Sequence, residues 1–294
     1  MPDAAAEQEA LRRNVGAFWL ERDFLVVEGP DSLKFLQGQL SQDIDMAIGS
    51  SAWSLLLQPQ GKMVALLRVA RRANQEFILD TDGGWGDVVE ERLNRFKIRV
   101  KATIETQGWR CVALRGPRAH DFSAGVLGLD ADWPGLPGLD IVGDDPAVPS
   151  EVPICSADAY EAVRIEAGVP MMGRELDERT IPAEAGIVDR TASFTKGCYT
   201  GQELVARIDS RGGNVPRRLR GIVVSGETVP PAGATLTVDG KAAGTLTSVA
   251  HSAALQAPVG LGFVGRAVSV PAEGVVEWDG GSAPARVDSL PLVP

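Results

Sequence analysis

From Pro216 to the C-terminus the chain changes character, and this change limits the fold more than any other feature. LRGIVVSG, ATLTVDGKAAGTLTSVA, VGLGFVG, AVSVPAEGVVEW and ARVDSLPLV are short runs separated by Gly, Pro and Asp-Gly turns. Runs of this length and spacing predict a small antiparallel barrel or sandwich of roughly 75 residues. No helix can follow GLGFVG (Gly260 to Gly265), because Pro271 interrupts the chain six residues on. Its match to GxGxxG therefore lacks the context of a dinucleotide site, and its glycines read as strand bends.

Upstream the pattern is mixed. VVEGPDSLKFLQGQL predicts a strand end, a turn and a helix, with Asp31 or Ser32 as N-cap and Leu33, Leu36 and Leu40 at helical spacing. SLLLQPQGKMVALLRVA reads as a hairpin turning at Pro59-Gln60-Gly61-Lys62. EFILD, KIRVKATIE and WRCVALRG are further strands, and Trp85, Val88, Val89, Leu93 and Phe96 mark one helix face. AYEAVRIEAG and GQELVARIDS are helices. A βαβαβ alternation is missing, so the class is α+β. The Gly-, Pro- and Asp-rich stretch from about Gly125 to Pro153 reads as a long connection between units.

Composition narrows the function. A net charge of −10 argues against broad contact with nucleic-acid phosphate. One basic cluster, Arg207, Arg211, Arg217, Arg218 and Arg220, reads as a solvated or ion-paired face. No run approaches the roughly 18 apolar residues of a membrane span, and MPDAAAEQEALRR lacks the apolar core of a signal peptide. A cytoplasmic protein is expected. Three scattered cysteines without a CxxC pair fit a reducing compartment, and two histidines without metal spacing leave no metal site to expect.

One cysteine stands apart. KGCYTGQE (Lys196, Gly197, Cys198, Tyr199, Thr200, Gly201, Gln202, Glu203) sets a thiol between glycines, after a lysine and before an amphipathic helix. A nearby ammonium and helix N-terminal amides favour thiolate, so the sequence predicts a lowered pKa and a reactive Cys198. A packing role for a cysteine in a Gly-rich turn stays open. A Cys–His hydrolase with His120 or His251 as base has nothing in the sequence to bring the partners together.

KGCYTGQE, with Arg207 four residues after Glu203, resembles the signature of the YgfZ family of folate-binding proteins, paralogues of the glycine cleavage T-protein (an aminomethyltransferase). GPDSLKFLQGQLSQD resembles the family's opening helix. RIEAGVP with IPAE resembles its central segment, and VGLGFVGR its closing barrel. The resemblance implies a three-lobed ring: two ferredoxin-like α+β lobes and a C-terminal antiparallel β-barrel. The lobes would comprise residues 14–52 plus 154–213, then an inserted lobe at 53–153, then the barrel at 217–294. It implies a monomer that binds tetrahydrofolate or a related reduced folate and supports iron–sulfur enzymes or cluster-assembly proteins. Radical-type tRNA-modifying enzymes would be among the clients, without direct nucleic-acid or membrane contact.

By the same resemblance Glu166 would accept hydrogen bonds from the pterin. Arg207 would face the folate tail, or equally pair with Glu203 at i, i+4. Glu166 and Arg164 as ordinary polar residues near a helix end remain the alternative. The T-protein has an acidic pair after the glycine turn of its hairpin. GKMVALLRV has Val64 and Ala65 there and no carboxylate. The resemblance therefore implies an accessory protein, with a tetrahydrofolate-dependent aminomethyl- or methyltransferase as the alternative.

Overall fold

The computed structural model describes residues 4–210 and 213–294. Arg211 of the basic cluster lies outside the described residues. The chain opens with helix α1 (Ala4–Arg13) and strand β1 (Gly16–Leu20). Strand β2 (Arg22–Glu28), α2 (Ser32–Gln39), β3 (Ser51–Leu57), β4 (Met63–Ala73), β5 (Glu76–Asp82), α3 (Gly86–Phe96) and β6 (Thr103–Gln107) follow. These five strands make one antiparallel sheet in the order β3-β4-β5-β2-β6. The predicted hairpin joins β3 to β4, and Gly61 takes a positive φ of 75° in its turn.

Strands β7 (Arg110–Arg115), β8 (Gly128–Asp130) and β9 (Gly138–Gly143) return to β1 as a second sheet, ordered β1-β7-β9-β8. The division expected at residue 52/53 does not follow these sheets. It cuts β2 from β5 and β6, its two hydrogen-bonded neighbours. The first sheet is continuous over residues 22–107, and the second is the split one, with β1 before it and β7–β9 after. The stretch expected as a plain connection also contains β8 and β9, because GLDIVG pairs along β7 despite its flanking glycines.

Side-chain period explains how the sheets meet. Odd positions of the first sheet, Leu25, Val27, Leu67, Val69, Phe77 and Leu79, pack under α2 and α3 with Phe35, Leu36, Leu40, Val89 and Leu93. Val88 and Phe96 of α3, expected on the buried face, are exposed, so that face is narrower than its sequence suggested. Even positions, Phe24, Ala70 and Ile78, face the second sheet and meet Cys111, Leu129 and Val142.

Helix α4 (Ala157–Ala167) starts at Ser156, whose hydroxyl caps the Ala159 amide, and stops at Gly168 in the left-handed region. It packs on α1 and on the barrel. Short α5 (Val188–Thr191) and α6 (Gln202–Ser210) lead to the barrel strands. These are β10 (Arg217–Val224), β11 (Thr235–Val238), β12 (Lys241–Ser252), β13 (Ala257–Gly265), β14 (Ala272–Trp278) and β15 (Gly281–Asp288). They close in the order β10-β13-β12-β11-β14-β15 around Ile222, Val224, Leu236, Leu246, Val276 and Val287. GLGFVG runs through β13 as strand. The fold is α+β with a closed six-stranded C-terminal barrel.

Candidate functional site

The inter-sheet face turns polar toward one end. Arg22, Arg68, Asp80 and Asp82 project from the first sheet there, and Arg115 and Asp140 from the second. Arg22 binds Asp80 and Asp82, Arg68 bridges Asp80 and Asp140, and Arg115 donates to Asp140 at 2.7 Å and to the Tyr160 hydroxyl at 3.0 Å. Burial alone would raise the Asp140 carboxyl, but the Arg115 and Arg68 cations outweigh it and hold it below the ordinary carboxylate range. Buried ion pairs of this kind contribute little net stability, yet removing one partner is costly.

At the mouth of this network lies a narrow cavity of about 40 Å³ lined by Arg22, Trp53, Leu66, Asp82, Trp133 and Tyr160, among others. Trp53 is fixed by its indole N–H to the Ala131 carbonyl at 3.1 Å, and the Arg115 guanidinium lies over Trp133, 4.4 Å from the ring centre. An outer recess of about 310 Å³ shares Leu20, Tyr160 and Met171 with it. Charge accounting in the cavity is uneven. Arg22 and Arg115 are held by aspartates, and Arg164 by Glu161 and Glu175. Among the described residues Arg190, on α5, has one side-chain hydrogen bond, to the Asp132 carbonyl at 3.0 Å, and its charge is favoured by Asp132 and by no buried aspartate of the network. In addition, the buried Nε donors of Arg22 and Arg115 have no partner among the described residues.

The cysteine motif lies on a separate segment that follows α5. Cys198 is exposed, whereas Cys111 and Cys155 are buried. Burial pushes the Cys155 thiol up to about 11, with Glu7 adding to the rise, and it raises Cys111 as well. Lys196 has hydrogen-bond partners of its own. Its ammonium donates to the carbonyls of Leu40 (2.9 Å) and Gln42 (2.7 Å), just beyond α2. Burial there lowers its pKa to about 8, against the opposing effect of Asp43. Tyr199 is buried next to it, and Gly201 needs its positive φ of 85° where the chain passes within contact of Gln58 and Leu57. Gln202 and Glu203 open α6.

The two remaining expected residues lie elsewhere. Glu166 is fully buried, and its two carboxylate oxygens are taken by Arg12 from α1 and by the Ser252 hydroxyl from β12. It clamps α1, α4 and the barrel together, and it is not among the residues lining the cavity. An open acceptor for a ring is therefore not what the structure gives this carboxylate. Arg207 is exposed on α6, with no ion pair to Glu203 among the described residues. The sequence reading missed Trp53, Arg68, Asp80, Asp82, Arg115, Asp140 and Arg190. A signal for some of them was present: Arg68 in MVALLRVA, Asp80 in EFILD and Asp140 in GLDIVG are single charges inside apolar strands, and such charges fold only if paired.

Two α+β sheets, a charge-lined cavity between them and a closing barrel define a protein of the T-protein fold. The aminomethyltransferase T of the Bartonella henselae glycine cleavage system superposes with a TM-score of 0.84 at 22% identity, over 99% of this chain and 89% of that one. Residues 1–140 match the GCVT N-terminal domain, and residues 217–294 match the glycine cleavage T-protein C-terminal barrel domain. The chain belongs to this family, in which YgfZ proteins stand beside aminomethyltransferases. It is 29% identical to the tRNA-modifying protein YgfZ of Klebsiella pneumoniae, over 70% of this chain and 71% of that one. It is 25% identical to an aminomethyltransferase of Streptomyces avermitilis, over 97% and 88% respectively.

Proposed function

We propose that the protein binds a reduced folate, tetrahydrofolate or a close relative, at the cavity between the sheets. In this reading it presents Cys198 as an accessory thiol in the upkeep of iron–sulfur enzymes, radical-type tRNA-modifying enzymes among them. The observation that carries the folate part is Arg190, without a carboxylate hydrogen bond among the described residues, beside the aromatic walls of Trp53, Trp133 and Tyr160. A planar ring with a carboxylate tail matches that pairing. The unpartnered Nε donors of Arg22 and Arg115 suit the ring's acceptor atoms.

A bicyclic ring is larger than the inner slot, so binding takes in part of the outer recess past Met171. Bound folate would supply a one-carbon carrier. The chain's own groups would orient it, with aromatic faces against the ring and Arg190 on the anionic tail.

The thiol part draws on an exposed Cys198 within the KGCYTGQE motif, on a polar loop clear of the cores that bury the other two cysteines. A thiolate is a soft donor suited to iron or sulfur, and one cysteine is too few to hold a four-iron cluster alone. The YgfZ relative, named as tRNA-modifying, points the same way.

The aminomethyltransferase relatives favour the alternative, a folate-dependent transferase. The geometry weighs against it. Ala65 is buried on the opposite face of β4, Leu66 lines the cavity, and no carboxylate comes from the hairpin. The carboxylates that do approach, Asp82 and Asp140, are clamped by arginines. Among the described residues lining the cavity, no carboxylate is left unpaired to act as a general acid or base, a contribution of about 10²–10⁴-fold.

The two readings separate in one strain deleted for this protein. Accessory function predicts loss of several iron–sulfur enzyme activities, restored by wild type but not by Cys198→Ala. A purified protein that transfers an aminomethyl group to tetrahydrofolate, unaffected by Cys198→Ala, would favour the transferase instead.

A further inference from the structure

The segment from Arg190 to Thr200 joins the cavity to the cysteine, and it is fastened along its length to a single stretch, Gly38 to Gln42. The Gln42 side-chain amide donates to the Arg190 carbonyl at 3.2 Å, and the Ser41 hydroxyl donates to the Thr191 carbonyl at 2.6 Å. The Ser193 amide donates to the Ser41 carbonyl at 2.9 Å, Lys196 spans the Leu40 and Gln42 carbonyls, and the Thr200 amide reaches the Gly38 carbonyl at 3.2 Å. Little apolar burial supports this seam. Ala192 and Tyr199 are buried at its two ends, while Phe194, Thr195, Gly197 and Cys198 between them are exposed. Only its two ends reach the core, and a middle held by hydrogen bonds belongs to the low-stability end of a fold and can open locally.

We infer that residues 190–200 form a detachable strap through which occupancy of the cavity sets the state of Cys198, with Ser41 and Gln42 as its positioning residues. The inference rests on the folate reading of the cavity. Arg190 joins the two regions: it lines the cavity, and its carbonyl is the first fastening of the strap. An anionic group in the cavity is a stronger acceptor than the Asp132 carbonyl. By taking up the guanidinium it restrains α5, and the restraint passes to Thr191 and Ser193 through Ser41. A folate-loaded protein then holds the thiol on a closed strap, and an empty one releases it more often. Linkage makes the effect mutual: a bulky adduct on Cys198 that keeps the strap open weakens folate by the same factor.

Trypsin reads the strap directly, because cleavage after Lys196 requires its side chain to leave the Leu40 and Gln42 carbonyls. The probe is 5-formyltetrahydrofolate, with its binding titrated on the same samples. Saturating probe is expected to slow cleavage after Lys196 in wild type by about fivefold or more, the lower end of ordinary coupling. Gln42→Met is expected to cleave faster without probe and to lose the dependence on probe, while its affinity weakens by no more than the coupling factor of about fivefold that linkage requires. Ser41→Ala tests the same seam at a buried site, and Gln42→Met keeps the test open if that variant does not fold. Protection that survives in Gln42→Met means that the probe covers Lys196 itself, which overturns the strap. Bound probe with unchanged wild-type cleavage overturns the coupling alone. A probe that does not bind at all overturns the folate reading together with the inference built on it.

Discussion

The inter-sheet cavity and the cysteine strap are neighbours built on opposite principles. In the cavity, Arg22, Arg68 and Arg115 are locked to Asp80, Asp82 and Asp140 with nearly no solvent contact. The strap carries the Cys198 thiol in water and is tied down by side-chain and main-chain hydrogen bonds. Rigidity in the cavity costs desolvation but fixes the aromatic walls. Looseness in the strap costs little and leaves the thiol able to move. A protein that has to recognise one molecule and respond toward another would need both.

The contrast breaks first if the cavity tolerates loss of a charge. Asp140→Asn leaves Arg68 and Arg115 short of their shared carboxylate, and the expected destabilisation is at the upper end for a broken buried pair, about 5 kcal/mol by urea unfolding. Glu166→Ala comes next, at about 3 kcal/mol, because Arg12 retains some contact with water. The loss should appear in the apo protein, whereas a residue serving only a ligand would leave apo stability nearly unchanged.

Much of the fold could be read from the sequence where information is local. The hairpin at Gly61, α4 between Ser156 and Gly168, and the barrel from residue 217 follow from turn, cap and alternation signals over a few residues. Pairing of β2 with β5 and β6 could not be read this way. Alternation shows that Val26 sits in a strand but not that it lies opposite Ile78 and Glu105. The site divides in the same manner. The Cys198 motif is contiguous and stood out, while Arg22, Trp53, Arg115 and Arg190 converge from four separate segments with no shared spacing. Glu166 shows the limit of resemblance, since a motif carries a residue's place but not the partners, Arg12 and Ser252, that its own chain supplies.

A smaller effect sharpens the strap side. The Lys196 pKa falls from 10.5 in its ordinary state to about 8 in the fold because burial disfavours the charge. Between those values the unfolded chain binds more protons than the native one, so stability rises with pH across that window. Wild type should therefore gain on Lys196→Met in thermal unfolding as pH goes from 7 to 10, and a constant gap would contradict the buried ammonium. The smallest effect belongs to the thiol itself. Cys198→Ser should change stability by less than about 0.5 kcal/mol. At limiting iodoacetamide Cys198 should label well before Cys111 and Cys155, because burial both hides those two thiols and raises their pKa values. Equal labelling of all three would erase the distinction between core and strap.

The central claim is that a reduced folate occupies the aromatic, arginine-bearing cavity. Isothermal titration of 5-formyltetrahydrofolate into wild type, Trp53→Ala and Arg190→Met tests it most directly. The account predicts saturable one-to-one binding to wild type, lost in Trp53→Ala and weakened in Arg190→Met, with both variants folded by circular dichroism. Heat identical across all three proteins, or none with wild type, would contradict it.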